Sequence, residues 1–129
     1  MLRAGEIRRP VPAVRLAVSL LGGLLDPIRV VTKVPKQRPS TFVRVSRLGG
    51  VMDTVKTDRP FLLFECWAEG SAESLACDVV GLLVANQWES VDGTRLTGFT
   101  QVSCHDYPDP DVPDQSRWQV TGTLGIAIR

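Results

Sequence analysis

The chain has 129 residues, of which 43% are hydrophobic and 22% charged, with a formal net charge of +1. That length fits one domain around one core, and the balance is that of an ordinary globular protein, not a disordered or fibrous one. The near-neutral total gives no bulk electrostatic case for nucleic acid or membrane as a partner.

The charge is divided unevenly along the chain. Residues 1–59 carry 12 Lys+Arg and 4 Asp+Glu, a net of +8, whereas residues 60–129 carry 3 and 10, a net of −7. Such halves either face each other across neighbouring copies or sit on separate solvated faces of one monomer; the pattern bears on association, not on fold. The three cysteines, Cys66, Cys77 and Cys104, are odd in number and show no metal-ligand spacing. They point to a reducing compartment without a disulfide framework.

Arg3, Arg8 and Arg9 precede the apolar run VPAVRLAVSLLGGLL and imitate the start of a secretory signal. Pro10, Pro12 and Arg15 interrupt the imitation, and Asp26-Pro27 stands where small residues would mark cleavage. The run is also too short to cross a bilayer. It therefore reads as a helix of the folded domain, with residues 1–10 as a basic arm. Val14, Ala17, Val18, Leu21 and Leu25 recur at spacings of three and four and define one helical face. Gly22-Gly23 weakens the end and Asp26-Pro27 stops it.

Ile28 to Val34 is rich in β-branched residues and predicts a strand. A basic loop with Lys36 and Arg38 follows, then a strand from Thr41 to Leu48 with Val43 and Val45 inward. Gly49-Gly50 is read as a turn, and VMDTVKT as a short return strand. The strand Phe61 to Ala68 scarcely alternates: Phe61, Leu63, Glu65 and Trp67 share one face, and Leu62, Phe64, Cys66 and Ala68 the other. Such a strand belongs in the middle of a sheet, covered on both sides, one cover being a helix of its own chain and the other a neighbouring subunit.

Ser71 suits a helix N-cap, and Ala72, Leu75, Ala76, Val79, Leu82 and Leu83 form the apolar stripe of the helix it opens. Glu89 to Gly98 is a polar connection with a tight turn at Asp92-Gly93. Phe99 to Tyr107 is a further strand, PDPDVPDQ a proline-stiffened loop, and RWQVTGTLGIAIR a strand of clear period two. The expectation is a single α+β domain over 1–129, mostly antiparallel sheet with two packed helices, in the order α-β-β-β-α-β-β.

No arrangement predicts catalysis, a cofactor or a metal. His105 is the sole histidine, and its neighbours Cys104 and Asp106 point to the opposite face of the strand. Asp106, Asp109, Asp111 and Asp114 lack the spacing and the glycine of a calcium loop. Lys33, Lys36, Arg38, Arg44 and Arg47 could touch phosphates, but only Phe42 supplies an aromatic among them, short of what a single-strand binder uses.

The ordered set STFVRVSRLGGVMDTVKTDRPFLLFECWAEGSAESLACDVVGLL, an acidic proline-rich loop and the closing RWQVTGTLGIAIR resembles the tail terminator proteins of long-tailed, siphovirus-type phages or prophages of actinobacteria, over residues 10–129. The longer basic amino terminus and the very apolar FLLF depart from that pattern. The resemblance implies a virion structural protein without an active site. It implies a homo-oligomeric ring, typically a hexamer, that caps the tail tube, stops its polymerisation and joins the tube to the head connector at the neck. Its partners would be itself, the tail tube protein, a head-completion or connector protein and, in passing, the DNA of the channel, with assembly in the host cytoplasm and no membrane. A head–tail connector or stopper of the neck is the alternative, and an unrelated small bacterial binding domain a more distant one. Under this reading Lys33, Lys36, Arg38, Arg44, Arg47, Phe61 and Leu63 are the candidate interface. Trp67, Leu75, Val79, Leu82, Leu83, Trp118, Leu124 and Ile126 are the candidate core.

Overall fold

A computed structural model describes residues 1–128. After a single 3-10 turn at Ala4–Glu6, helix α1 (Ala13–Leu25) starts beside Pro12, whose φ of −56° already suits a helix. Its buried side chains are Ala13, Leu16, Ala17, Leu21 and Leu25. The inward stripe is thus turned slightly from the one the spacing suggests: Val14 and Val18 sit at the margin, packed against the core but only partly buried. The helix runs through Gly22-Gly23 to Leu25 and stops at Asp26-Pro27, as expected.

Strand β1 (Arg29–Val31) is shorter than its β-branched run and pairs in parallel with Phe42–Arg44. Strands β2 (Thr41–Thr54) and β3 (Thr57–Ala68) form one long antiparallel hairpin. Here the expected turn at Gly49-Gly50 is corrected. The chain continues through both glycines, with a register shift between Arg47 and Gly49, and reverses only at Val55-Lys56. The glycines make a bulge. Gly50 has φ +87°, and a Cβ there would collide with the Arg59 carbonyl and the Phe61 amide, so only glycine fits the kink. The Arg47 guanidinium donates to the Gly49 and Gly50 carbonyls at 2.8 and 3.5 Å and satisfies the groups that the bulge frees.

Helix α2 (Glu73–Ala85) buries Leu75, Ala76, Val79 and Leu83. Its N-cap position is Ala72, not Ser71. Two serines share the capping work: Ser71 Oγ accepts from the Glu73 amide at 3.3 Å, and Ser116 Oγ accepts from the Ala72 amide at 3.0 Å. A two-residue strand, β4 (Ser90–Val91), then turns tightly through Asp92 (φ 50°) and Gly93 (φ 77°) into β5 (Thr94–Asp106). Positive φ at both positions is the geometry that tight hairpins require. Strand β6 (Ser116–Ala127) closes the sheet.

The sheet order is β1-β2-β3-β6-β5-β4, and every pairing except β1–β2 is antiparallel. The fold is α+β, and β3 lies inside the sheet as its unbroken apolarity predicts. Both helices pack on one face. There Val43, Val45, Leu62, Phe64, Cys66, Val120, Leu124 and Ile126, all at most 1% exposed, meet Leu16, Leu21, Val79 and Leu83 in one cluster. Each fully buried side chain of this size contributes about 1.5–3 kcal/mol. The other face carries no helix.

Candidate functional site

The helix-free face is organised around β3. Phe42 and Trp67 lie opposite each other in the β2–β3 pairing and stack with centroids 5.8 Å apart and planes 8° from parallel. They are 0% and 2% exposed, although no helix covers them. Two loops do. Arg38 stands 4.5 Å over the Trp67 ring and 5.3 Å over Phe42, and its Nε donates to Gln115 Oε1 at 2.9 Å. Gln115 in turn donates to the Pro39 carbonyl at 2.9 Å. Arg117 stands 5.1 Å from the Trp67 ring and 4.9 Å from Tyr107. Guanidinium over an aromatic face is favourable and more so when desolvated.

Next along the same face, Glu65 is 6% exposed and sits between two cations. Arg44 Nη1 donates to Oε2 at 2.7 Å, and Arg117 Nη1 lies 3.9 Å from Oε1. Arg44 also donates from Nε to the Thr32 carbonyl at 3.3 Å, and Arg117 to the Tyr107 carbonyl at 2.7 Å. Arg47, on the helix side beyond the core, lies 3.5 Å from the fully buried Asp58. Three of the five candidate interface cations, Arg38, Arg44 and Arg47, are therefore engaged within the chain. Lys33 and Lys36 are exposed and have no ion-pair partner among the described residues. Phe61 and Leu63 are half-buried on the helix-free face, near Thr121 and Thr123 of β6.

Of the candidate core residues, Leu75, Val79, Leu83, Leu124 and Ile126 lie in the helix-side cluster, with Leu82 and Trp118 partly buried at its margin. Trp67 is buried on the opposite face, in the cationic stack. The role of Glu65 as the hub of that face escaped the sequence pattern. The one available signal was a carboxylate in the middle of an otherwise apolar strand, which a buried position tolerates only with a counter-charge.

The reactive side chains do not converge. His105 is exposed and meets only Tyr107 edge-on, with centroids 5.9 Å apart. All three cysteines are free thiols. Burial, with smaller contributions from Cys104 and Glu65, pushes the Cys66 thiol far above its ordinary range. Burial, then Cys77 and Glu73, raises Cys104. Thiols held protonated in this way are poor nucleophiles. No group of three or more His, Cys, Asp or Glu side chains is placed to hold a metal among the described residues, and no helix of those residues is long and apolar enough to cross a membrane.

Two ends of the molecule remain. At one, the amino-terminal segment lies against the β2–β3 turn, where Leu2, Glu6, Ile7, Arg8 and Val55 line an open, mainly apolar cavity of about 440 Å³. At the other, the ends of β3 and β5, the start of α2 and the loop into β6 carry Glu69, Glu73, Asp106, Asp111 and Asp114, all exposed.

No family model matches the sequence, and no curated protein matches it. Among solved structures, the fold is similar to a chain of the virion of a native gene transfer agent particle, with a TM-score of 0.68 at 15% sequence identity, over 91% of this chain and 99% of that one. At that identity the likeness is one of fold. It is end to end, because the matched region takes in nearly the whole of both chains.

Proposed function

We infer that this chain is a structural protein of a phage-like virion and that it acts as a tail terminator: a ring, typically of six copies, seated on the end of the tail tube. The observation that carries this reading is the end-to-end fold likeness to a virion chain. It agrees with the resemblance of the FVRVSRLGG, DRPFLLFECWA and PDPD segments to tail terminators. The side chains are consistent with a role that needs no reaction, since the charged groups of the helix-free face, Arg38, Arg44, Glu65 and Arg117, are engaged within that face and not aimed at a pocket. Lys33 and Lys36, on the loop into β2, and the half-buried Phe61 and Leu63 are the surfaces offered to the tube, to a connector or to passing DNA.

Light scattering on the purified protein, followed by images of negatively stained particles, tests the ring. A tube-capping assay tests the role: added to polymerising tail tube protein, a terminator arrests growth, whereas a connector of the neck leaves the tubes growing and binds the portal side. A chain that stays single at every concentration and leaves tube growth unchanged refutes the proposal.

A further inference from the structure

We propose that copies of this chain join head to tail, the basic, apolar end of one subunit formed by its amino-terminal arm and β2–β3 turn docking on the acidic end of the next. This rests on the ring reading above and names the surfaces that would make the ring.

At the first end, Arg3, Arg8, Arg9, Lys56 and Arg59 have no ion-pair partner among the described residues. Leu2, Ile7, Val51 and Val55 stand beside them, 67%, 48%, 67% and 63% exposed. Apolar side chains gathered this way, edged by charge, mark a surface that another protein covers. At the second end, Glu69, Glu73, Asp106, Asp111 and Asp114 are likewise without ion-pair partners among the described residues. Tyr107, 51% exposed, and the prolines of the PDPDVP loop supply its apolar part. Exposed Glu6 and Asp53 at the first end, and Lys33 and Lys36 at the second on the loop that enters β2 opposite Ala68, reduce these charges without reversing them, so the ends match in kind and oppose in net sign.

They cannot satisfy each other within one subunit. Strand β3 separates them, with Thr57 at the turn and Ala68 beside Ser116 at the acidic end. Its 12 residues at ~3.3 Å each span roughly 36 Å, several Debye lengths at physiological salt. Nor do Arg44 and Arg47 serve as well, because they already face Glu65 and Asp58. A cationic end by itself would also suit nucleic acid. The exposed apolar residues within it and the matching acidic end favour a second copy instead. Two different patches that meet make a heterologous contact, which closes into a ring when its rotation permits.

Charge exchange tests the proposal. One variant reverses the basic end, Arg8→Glu with Arg9→Glu and Lys56→Glu; the other reverses the acidic end, Asp106→Lys with Asp111→Lys and Asp114→Lys. All six side chains are exposed, and circular dichroism checks that each variant folds. In light scattering each variant alone should fall from the wild-type assembly to the 14.1 kDa subunit. A one-to-one mixture should restore the assembly, because each variant's altered end then meets an opposite charge. Variants that assemble alone as the wild type does, or a mixture that stays dissociated, overturn the proposed contact and leave the ring standing. A wild type that never assembles overturns both.

Discussion

Replacing Glu65 by Gln keeps the side-chain volume and removes one charge, leaving the Arg44 and Arg117 guanidiniums without their shared counter-ion. Breaking a fully buried pair by removing one partner costs about 3–5 kcal/mol, whereas an exposed pair is worth ~0–1 kcal/mol. Glu65 is 6% exposed, but the Arg44 side chain keeps 35% and that of Arg117 14%, so water screens the cations. A cost of about 2–3 kcal/mol lies between those limits. For a chain of this size that is a fall in Tm of roughly 6–15 °C. Urea unfolding in high salt, with light scattering to check that the sample is a single subunit, measures the monomer alone. Arg44→Met combined with Glu65→Gln should show a coupling of about 1–2 kcal/mol. The coupling with Arg117 should be smaller, since that pair is 3.9 Å apart against 2.7 Å. A Glu65→Gln cost below ~0.5 kcal/mol, the size of an ordinary surface substitution, would mean that water already solvates the carboxylate and that the network does not hold the face together.

Gly50→Ala should cost more than ~2 kcal/mol, because a left-handed φ alone costs an L-residue about 1–2 kcal/mol and its Cβ meets the opposing backbone; Gly49→Ala, with nothing within 4 Å of its Cβ, should leave the urea midpoint nearly unchanged. Trp67→Ala should cost about 3–5 kcal/mol, and Trp118→Ala, only partly buried, distinctly less in the same titration. Thiol labelling of the folded protein should modify the exposed Cys77 first and the buried Cys66 only on unfolding. Because the folded Cys66 thiol is raised above its ordinary value of 9.0, its contribution to stability is fully present below that pH. It should be lost as the pH rises further, while the unfolded chain ionises; Cys66→Ala should flatten that decline in a pH series of melting temperatures.

The elements with strong periodicity were legible from the order of residues alone. The closing strand and both helices follow from spacings of two, three and four, and the interior position of β3 from its lack of alternation, because burial on one face or on both writes itself into the sequence. What was hidden is what depends on partners far along the chain. Gly49-Gly50 has the composition of a turn, and only the pairing of Thr54 with Thr57 shows that the strand passes through it. The true reversal, Val55-Lys56, has no glycine, asparagine or proline to announce it. Arg44 looks like a free surface cation until Glu65 is found opposite it, and Trp67 like a core residue until it is found on the face without helices. Short β4 escaped notice because two residues carry no period.

That difference bears on what a fold likeness at 15% identity preserves. A helix-covered sheet face asks only for apolar side chains of suitable volume, and many sequences supply them. The helix-free face cannot drift so freely. Phe42 and Trp67 stay dry only while Arg38, Gln115 and Arg117 close over them, and Glu65 tolerates burial only while its arginines remain. Arg38, Phe42, Arg44, Glu65, Trp67, Gln115 and Arg117 are thus tied together, and changing one strands the others. If the virion role is right, this rigid face has a purpose that an all-apolar one would not serve. It keeps the second side of the sheet from associating indiscriminately and leaves the charged ends of the strands to decide which contacts form.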